Sequence, residues 1–243
     1  MPITFGNVTT RFSTTDPTSS ENINVPAGAV AGVDWYVLIA SSAPAVTWNV
    51  PAGFDSPHIT LGNATGGRSV IAWKRKATGS EGATFTVSTT AATASIACAC
   101  IVVKPTDSTF SLDVDVVATP TDSAGASVAT VTFPNITTGV ANTVLIRASG
   151  TNLSAGTTNA LSTPASHTER ADSQTSAATG ARTHLAVYTI AQAAAGASGS
   201  PTGTLTTARP WQTITFSIKE TAAVSYHPFL DRRRRSSVAF YPR

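Results

Sequence analysis

Between Trp211 and Ile218 the chain alternates: Ile214, Phe216 and Ile218 fall on one side of an extended strand, and Trp211, Thr213, Thr215 and Ser217 on the other. Successive side chains of a strand point to opposite faces, so a period of two predicts a strand with one buried face. Strand-like runs recur at 35–40, 69–75, 83–87, 96–103, 128–133, 143–148 and 183–190, separated by clusters of Gly, Pro, Asn and Ser that favour turns. The run at 96–103 is apolar on both faces, as a central strand covered on both sides would be. No stretch shows the stripe of an amphipathic helix, and the alanines at 193–195 run into Gly196 and Gly199. The expected class is all-β, a β-sandwich of jelly-roll-like type.

Three blocks recur in the same order, which points to an internal duplication. Ala64, Thr65, Gly66, Arg68 and Ala72 align without gaps with Ala178, Thr179, Gly180, Arg182 and Ala186, and on this alignment His184 takes the place of Val70. Upstream, residues 26–32 lead into Val37, Leu38 and Ile39 as residues 136–142 lead into Val144, Leu145 and Ile146. Downstream, Ile101, Val103 and Lys104 match Phe216, Ile218 and Lys219. The two copies run from about 20 to 104 and from about 128 to 220, and segments this short are marginal as independent domains. One sandwich over 1–220, made of two halves, is therefore expected, followed by an Arg-rich arm over 221–243.

Hydrophobic residues make up 42% of the 243 residues and charged residues only 12%, so the surface is polar through Thr, Ser and Gly instead of charge. Residues 1–220 hold 11 basic and 12 acidic side chains, whereas 221–243 hold five arginines against Asp231. The body thus lacks the basic face of a nucleic-acid protein, and nucleic acid is not the expected partner. No apolar run reaches the roughly 20 residues that span a bilayer, so no membrane partner is expected. Met1–Gly6 does not read as a signal peptide either; the expectation is synthesis and assembly in a host cytoplasm, with the chain ending in a released particle.

The stretches Val25–Gly32, 168–172 (Thr-Glu-Arg-Ala-Asp), 180–183 (Gly-Ala-Arg-Thr) and the closing strand Trp211–Lys219 resemble a family of β-sandwich minor tail and virion structural proteins of tailed bacteriophages, particularly those of Actinobacteria. The resemblance covers residues 20–220 and rests on turns and strand starts. It implies a non-enzymatic structural role, other virion proteins as partners, a homo-oligomer and no cofactor. A capsid-surface decoration or head-fibre protein and a carbohydrate-binding module are the alternatives.

Within the arm, Tyr226, Phe229, Phe240 and Tyr241 surround the run Arg232, Arg233, Arg234 and Arg235. An arginine run is ordinarily a solvated end, but arginine and aromatic side chains also dominate interface energies, which suits a docking arm. For glycan binding the candidates are Trp48, Asn49 and Phe54, in a loop around Pro51-Ala52-Gly53, while Trp35 and Trp73 read as core. Cys98 and Cys100, two apart on one face, read as buried free thiols. Asp113 and Asp115 read as solvated carboxylates on an edge strand, with a calcium site as the weaker alternative. His58, His167, His184 and His227 form no ligand or catalytic pattern, and His184 is expected to face outward or towards an interface.

Overall fold

The computed structural model describes residues 3–14, 18–64, 68–90, 95–154, 156–175 and 182–222. Among them the regular elements are all strands. The first part of the chain holds β1 (Thr4–Phe12), β2 (Ser20–Asn24), β3 (Trp35–Ala43), β4 (Trp48–Asn49), β5 (Thr60–Ala64), β6 (Arg68–Lys76), β7 (Thr84–Thr89) and β8 (Ser95–Lys104). The second holds β9 (Phe110–Val117), β10 (Thr121–Asp122), β11 (Val128–Thr132), β12 (Thr137–Thr138), β13 (Thr143–Leu153), β14 (Thr168–Gln174), β15 (Arg182–Gln192), β16 (Gly196–Ala197), β17 (Thr202–Arg209) and β18 (Trp211–Ala222). All eight runs read from the sequence fall on strands: β3, β6, β7, β8, β11, β13, β15 and β18.

Strands β1-β8-β3-β6-β5 form an antiparallel five-stranded sheet and β2-β7-β4 a three-stranded one. The two close on each other through Ile23, Phe85 and Val87 of the smaller sheet and Leu38, Ile71, Trp73, Cys98 and Cys100 of the larger. The order 1-8-3-6 opposite 2-7-4 is that of a jelly roll. In the second part, the large sheet runs β10-β18-β13-β15-β14, with β9 also paired to β18. It is covered by β11-β17 and by Leu161, which bridges to Leu205. With β9 and β10 read for β1, β13 for β3, β14 for β5, β15 for β6 and β18 for β8, the orders of the two large sheets coincide.

Each part is therefore a two-sheet sandwich in its own right, where the sequence predicts two halves of one. The expected boundaries, 20 and 128, leave out β1 and β9, which complete the large sheets. Both are edge strands of mixed exposure, so neither shows a clean alternation. The two rolls stack through their large sheets, giving four layers. Trp35, Val37, Ile39, Ile101 and Val103 of one roll meet Val144, Ile146, Val187, Phe216 and Ile218 of the other.

This stacking overturns two further readings. The strand at 211–218 is buried on both faces: Ile214, Phe216 and Ile218 enter the seam, while Trp211 enters the second roll's own core and Thr213, Thr215 and Ser217 are covered beside it. The block containing Arg68 and Arg182 is out of phase by one residue. Val70 faces the seam, whereas His184 alternates with Leu185 and Val187, which do. A one-residue slip carries a strand's side chains to the opposite face, so Arg68 and Arg182 do different work. Arg68 is buried towards the seam, where burial pushes its guanidinium down and Asp122 partly restores it. Arg182 donates from Nε to the Thr175 carbonyl at 2.7 Å and from Nη1 to the Thr157 carbonyl at 3.0 Å.

Arg147 on β13 is fully buried in the second roll. It donates to the carbonyls of Pro134, Ser198 and Gly199 at 3.3–3.4 Å and to Ser198 Oγ at 2.8 Å, pinning residues 134 and 198–199 to the sheet. Burial pushes its guanidinium down to about 10. Arg147→Ala is expected to cost about 3–5 kcal/mol, since it opens a cavity and strands several acceptors. Arg147→Met keeps much of the volume and removes the buried charge, so chemical denaturation should rank it between wild type and the alanine variant.

Candidate functional site

The glycan candidates sit at a corner of the first roll. Trp48 lies on β4, paired with β7, and not in a loop. Its Nε1 donates to Ser69 Oγ at 2.7 Å, and its ring meets Trp73 edge-on at 5.9 Å. Asn49 is exposed and donates from Nδ2 to Ser88 Oγ at 3.1 Å. Phe54 is only 7% exposed. Gly53, at φ +78°, turns the chain so that the Phe54 ring packs edge-on against Phe85 at 5.0 Å, with the Arg75 guanidinium over both rings. A sugar platform needs an open aromatic face. Phe54 offers none and serves as packing, whereas Trp48 is half-buried and Asn49 presents an exposed amide. Trp35 and Trp73 are buried, as expected, in the seam and in the first roll's core. The arm candidates Tyr226, Phe229, Arg232, Arg233, Arg234, Arg235, Phe240 and Tyr241 lie outside the described residues.

The titratable groups divide into structural sets. Cys98 and Cys100 are free and fully buried in the first roll's core, and burial pushes both thiols well up. His184, expected to face outward or towards an interface, is fully buried on β15, where Nε2 bonds to the Asp172 carboxylate of β14. Asp115, expected to be solvated, has a side chain 5% exposed. It accepts from Lys219 Nζ at 3.3 Å and from the Gly139 amide at 3.0 Å. Asp113 accepts from the Val114 amide at 2.8 Å. Burial would raise the Glu81 carboxyl, but hydrogen bonds from Thr78 and Gly79 outweigh it and hold the group below its ordinary value, capping the 78–81 turn. Among the described residues no three His, Cys, Asp or Glu side chains gather as a metal site.

Two grooves open where an edge of one roll meets the other. The first, about 410 Å³, is lined by Asp55, Pro57, His58, Ile59, Lys74 and Val114. Here Lys74 is neutralised by Asp55 at 3.1 Å and sits 4.2 Å over the Trp35 ring. The second, about 340 Å³, lies between β1 and β14 and is lined by Thr4, Phe5, Ser166, Thr168, Arg170 and Thr189, among others. Its Arg170 guanidinium lies 4.5 Å over Phe5 of the other roll, and Nε donates to Thr189 Oγ1 at 2.8 Å. Partial burial pushes that guanidinium down.

The sequence reading notes 168–172 only for its family resemblance and misses Arg170 as a site residue. What places it at the groove is a register shift of β14 between Glu169 and Ala171, together with the approach of β1. Neither has a signature in one sequence. No family model, curated protein or solved structure matches this chain.

Proposed function

We propose that this chain is a non-enzymatic structural protein of a bacteriophage virion, a minor tail component, held in the particle by its C-terminal arm. The observation that carries the reading is the stack itself. Two jelly rolls share a 20-residue buried seam, which gives one stiff body from strands alone. Such a body suits a load-bearing or displayed subunit better than one that must open and close.

The edges of the large sheets support docking through the arm over docking through exposed strands. An open edge strand invites pairing with another chain, and bulges or short length discourage it. The pairings of β1, β9 and β14 are each interrupted by a register shift, and β5 is five residues long. Regular edge-to-edge growth is thereby disfavoured, which supports attachment through a separate element. The arm's combination of arginines and aromatics has the chemistry for it.

Removal of residues 224–243 tests this reading. The truncated chain should keep the melting temperature of the full chain, because the buried clusters of both rolls are built by residues from Ile3 to Ile218. It should be lost from purified particles by quantitative mass spectrometry while still accumulating in infected cells. Normal copy number in particles without the arm would refute docking through it.

A further inference from the structure

We propose that the groove between β1 and β14 binds an oxyanion group, the carboxylate of an acidic sugar or the phosphate of an anionic polymer, with Arg170 as its principal ligand. The inference does not depend on the assembly reading, since it concerns what the body binds and not how it is held.

The argument starts from the strand. β14 is the edge of its sheet, and its pairing with β15 shifts register between Glu169 and Ala171, which puts Arg170 in a β-bulge. A bulge re-aims a side chain out of the regular alternation. Ala171, next to it, is buried in the seam, while Arg170 reaches across to the other roll and lies over Phe5 at 4.5 Å. Its Nε is engaged by Thr189 Oγ1 at 2.8 Å. Ring and hydroxyl together fix the guanidinium plane. Among the described residues neither Nη1 nor Nη2 of Arg170 has a hydrogen-bond or ion-pair partner. A planar fork held in place with its donors unspent is suited to an oxyanion, because little ordering remains to be done when the ligand arrives.

The rest of the groove fits the same ligand. Thr4, Ser166 and Thr168 line it with hydroxyls, and among the described residues no carboxylate lines it. Glu169, the nearest acid in sequence, accepts from Thr163 Oγ1 at 3.2 Å. The volume of about 340 Å³ accommodates a single sugar-sized group. The groove at the opposite end of the seam serves as an internal comparison. It too has a cation resting on an aromatic ring, but Asp55 occupies Lys74 at 3.1 Å. Of two similar places, one is neutralised from within and the other presents an unneutralised cation.

The test uses the full chain and follows the Arg170 Nε–H signal by NMR, assigned by its loss in Arg170→Gln. Glucuronate, glucose 6-phosphate, glucose and sodium chloride are titrated at matched ionic strength. Glucuronate, glucose 6-phosphate or both should shift the signal saturably, and which of them does so identifies carboxylate, phosphate or either as the ligand group. Glucose and chloride should leave it in place. In Arg170→Lys, which keeps the charge and loses the fork, the effective anion should bind about tenfold more weakly or worse, read from the signals of Thr168 and Thr189. Lys74→Gln should bind as wild type does. Melting curves of each variant, expected to superimpose on wild type within a few degrees, separate loss of binding from loss of fold. Absence of saturation with both anions in the wild-type chain would overturn the proposal. So would Arg170→Lys binding as tightly as wild type, which would reduce the effect to general charge attraction.

Discussion

Replacing Gly150 by valine is expected to destabilise the protein by about 1–3 kcal/mol, seen as a fall of several degrees in melting temperature. Gly150 lies on β13 at the seam. A Cβ added there would come within 2.3 Å of Ser41 Oγ and 2.5 Å of Val70 Cγ2, both on the opposite large sheet. Ser41 has little room to yield, because its Oγ is hydrogen-bonded across the seam to Thr183 Oγ1 at 2.9 Å. The sheets must therefore move apart locally, loosening apolar contacts on either side. Alanine at the same position should show a smaller effect in the same direction. Gly82→Ala serves as the control, since nothing lies within 4 Å of its added Cβ; it should change stability by under about 0.5 kcal/mol. A Gly150→Val variant that melts with wild type would mean that the two sheets are not in contact there.

The second large effect concerns the rolls as separate chains. Residues 1–104 alone would expose Trp35, Val37, Ile39, Ile101 and Val103, and residues 105–243 would expose Val144, Ile146, Val187, Phe216 and Ile218. A contiguous apolar face of this kind drives association or aggregation in water. Expressed singly, each piece should be insoluble or should self-associate. Expressed together, the two should purify as a one-to-one complex by size exclusion with light scattering. Stable, folded monomers of either piece would show that the seam contributes little. The outcome also bears on the size argument. Each roll contains both of its sheets, yet among the described residues the second face of its large sheet is covered by the other roll.

Much of the fold was legible because strands buried on at least one face must alternate or be apolar throughout. The run at 96–103 is read correctly as a doubly covered strand from its composition, and the alternation at 211–218 correctly assigns the faces of Ile214 and Trp211. The second covering at 211–218 was not legible. Thr213, Thr215 and Ser217 look like a solvent face, but two of the three hydroxyls find partners in the interior: Thr213 Oγ1 donates to the Thr132 carbonyl at 2.9 Å, and Ser217 Oγ accepts from the Val116 amide at 3.1 Å. The phase error at Arg68 and Arg182 has a related cause. Identical residues in an alignment report chain order, whereas the facing of a strand depends on register, and a single inserted residue reverses it. The candidate site was less legible still. Phe54 could be expected at the surface because its loop is rich in turn residues, and only the backbone conformation at Gly53 reveals the inward turn. Arg170 becomes visible through a bulge and through Phe5, more than 160 residues away in sequence.

The proposed place of the chain in a particle is tested most directly by electron cryomicroscopy of purified virions produced with and without the gene for this protein. The account predicts a difference density matching the four-layer body, at fixed positions on the tail, joined to a neighbouring virion protein through the segment beyond residue 222. Particles whose reconstructions are identical with and without the gene, and which contain none of the chain by mass spectrometry, would contradict it.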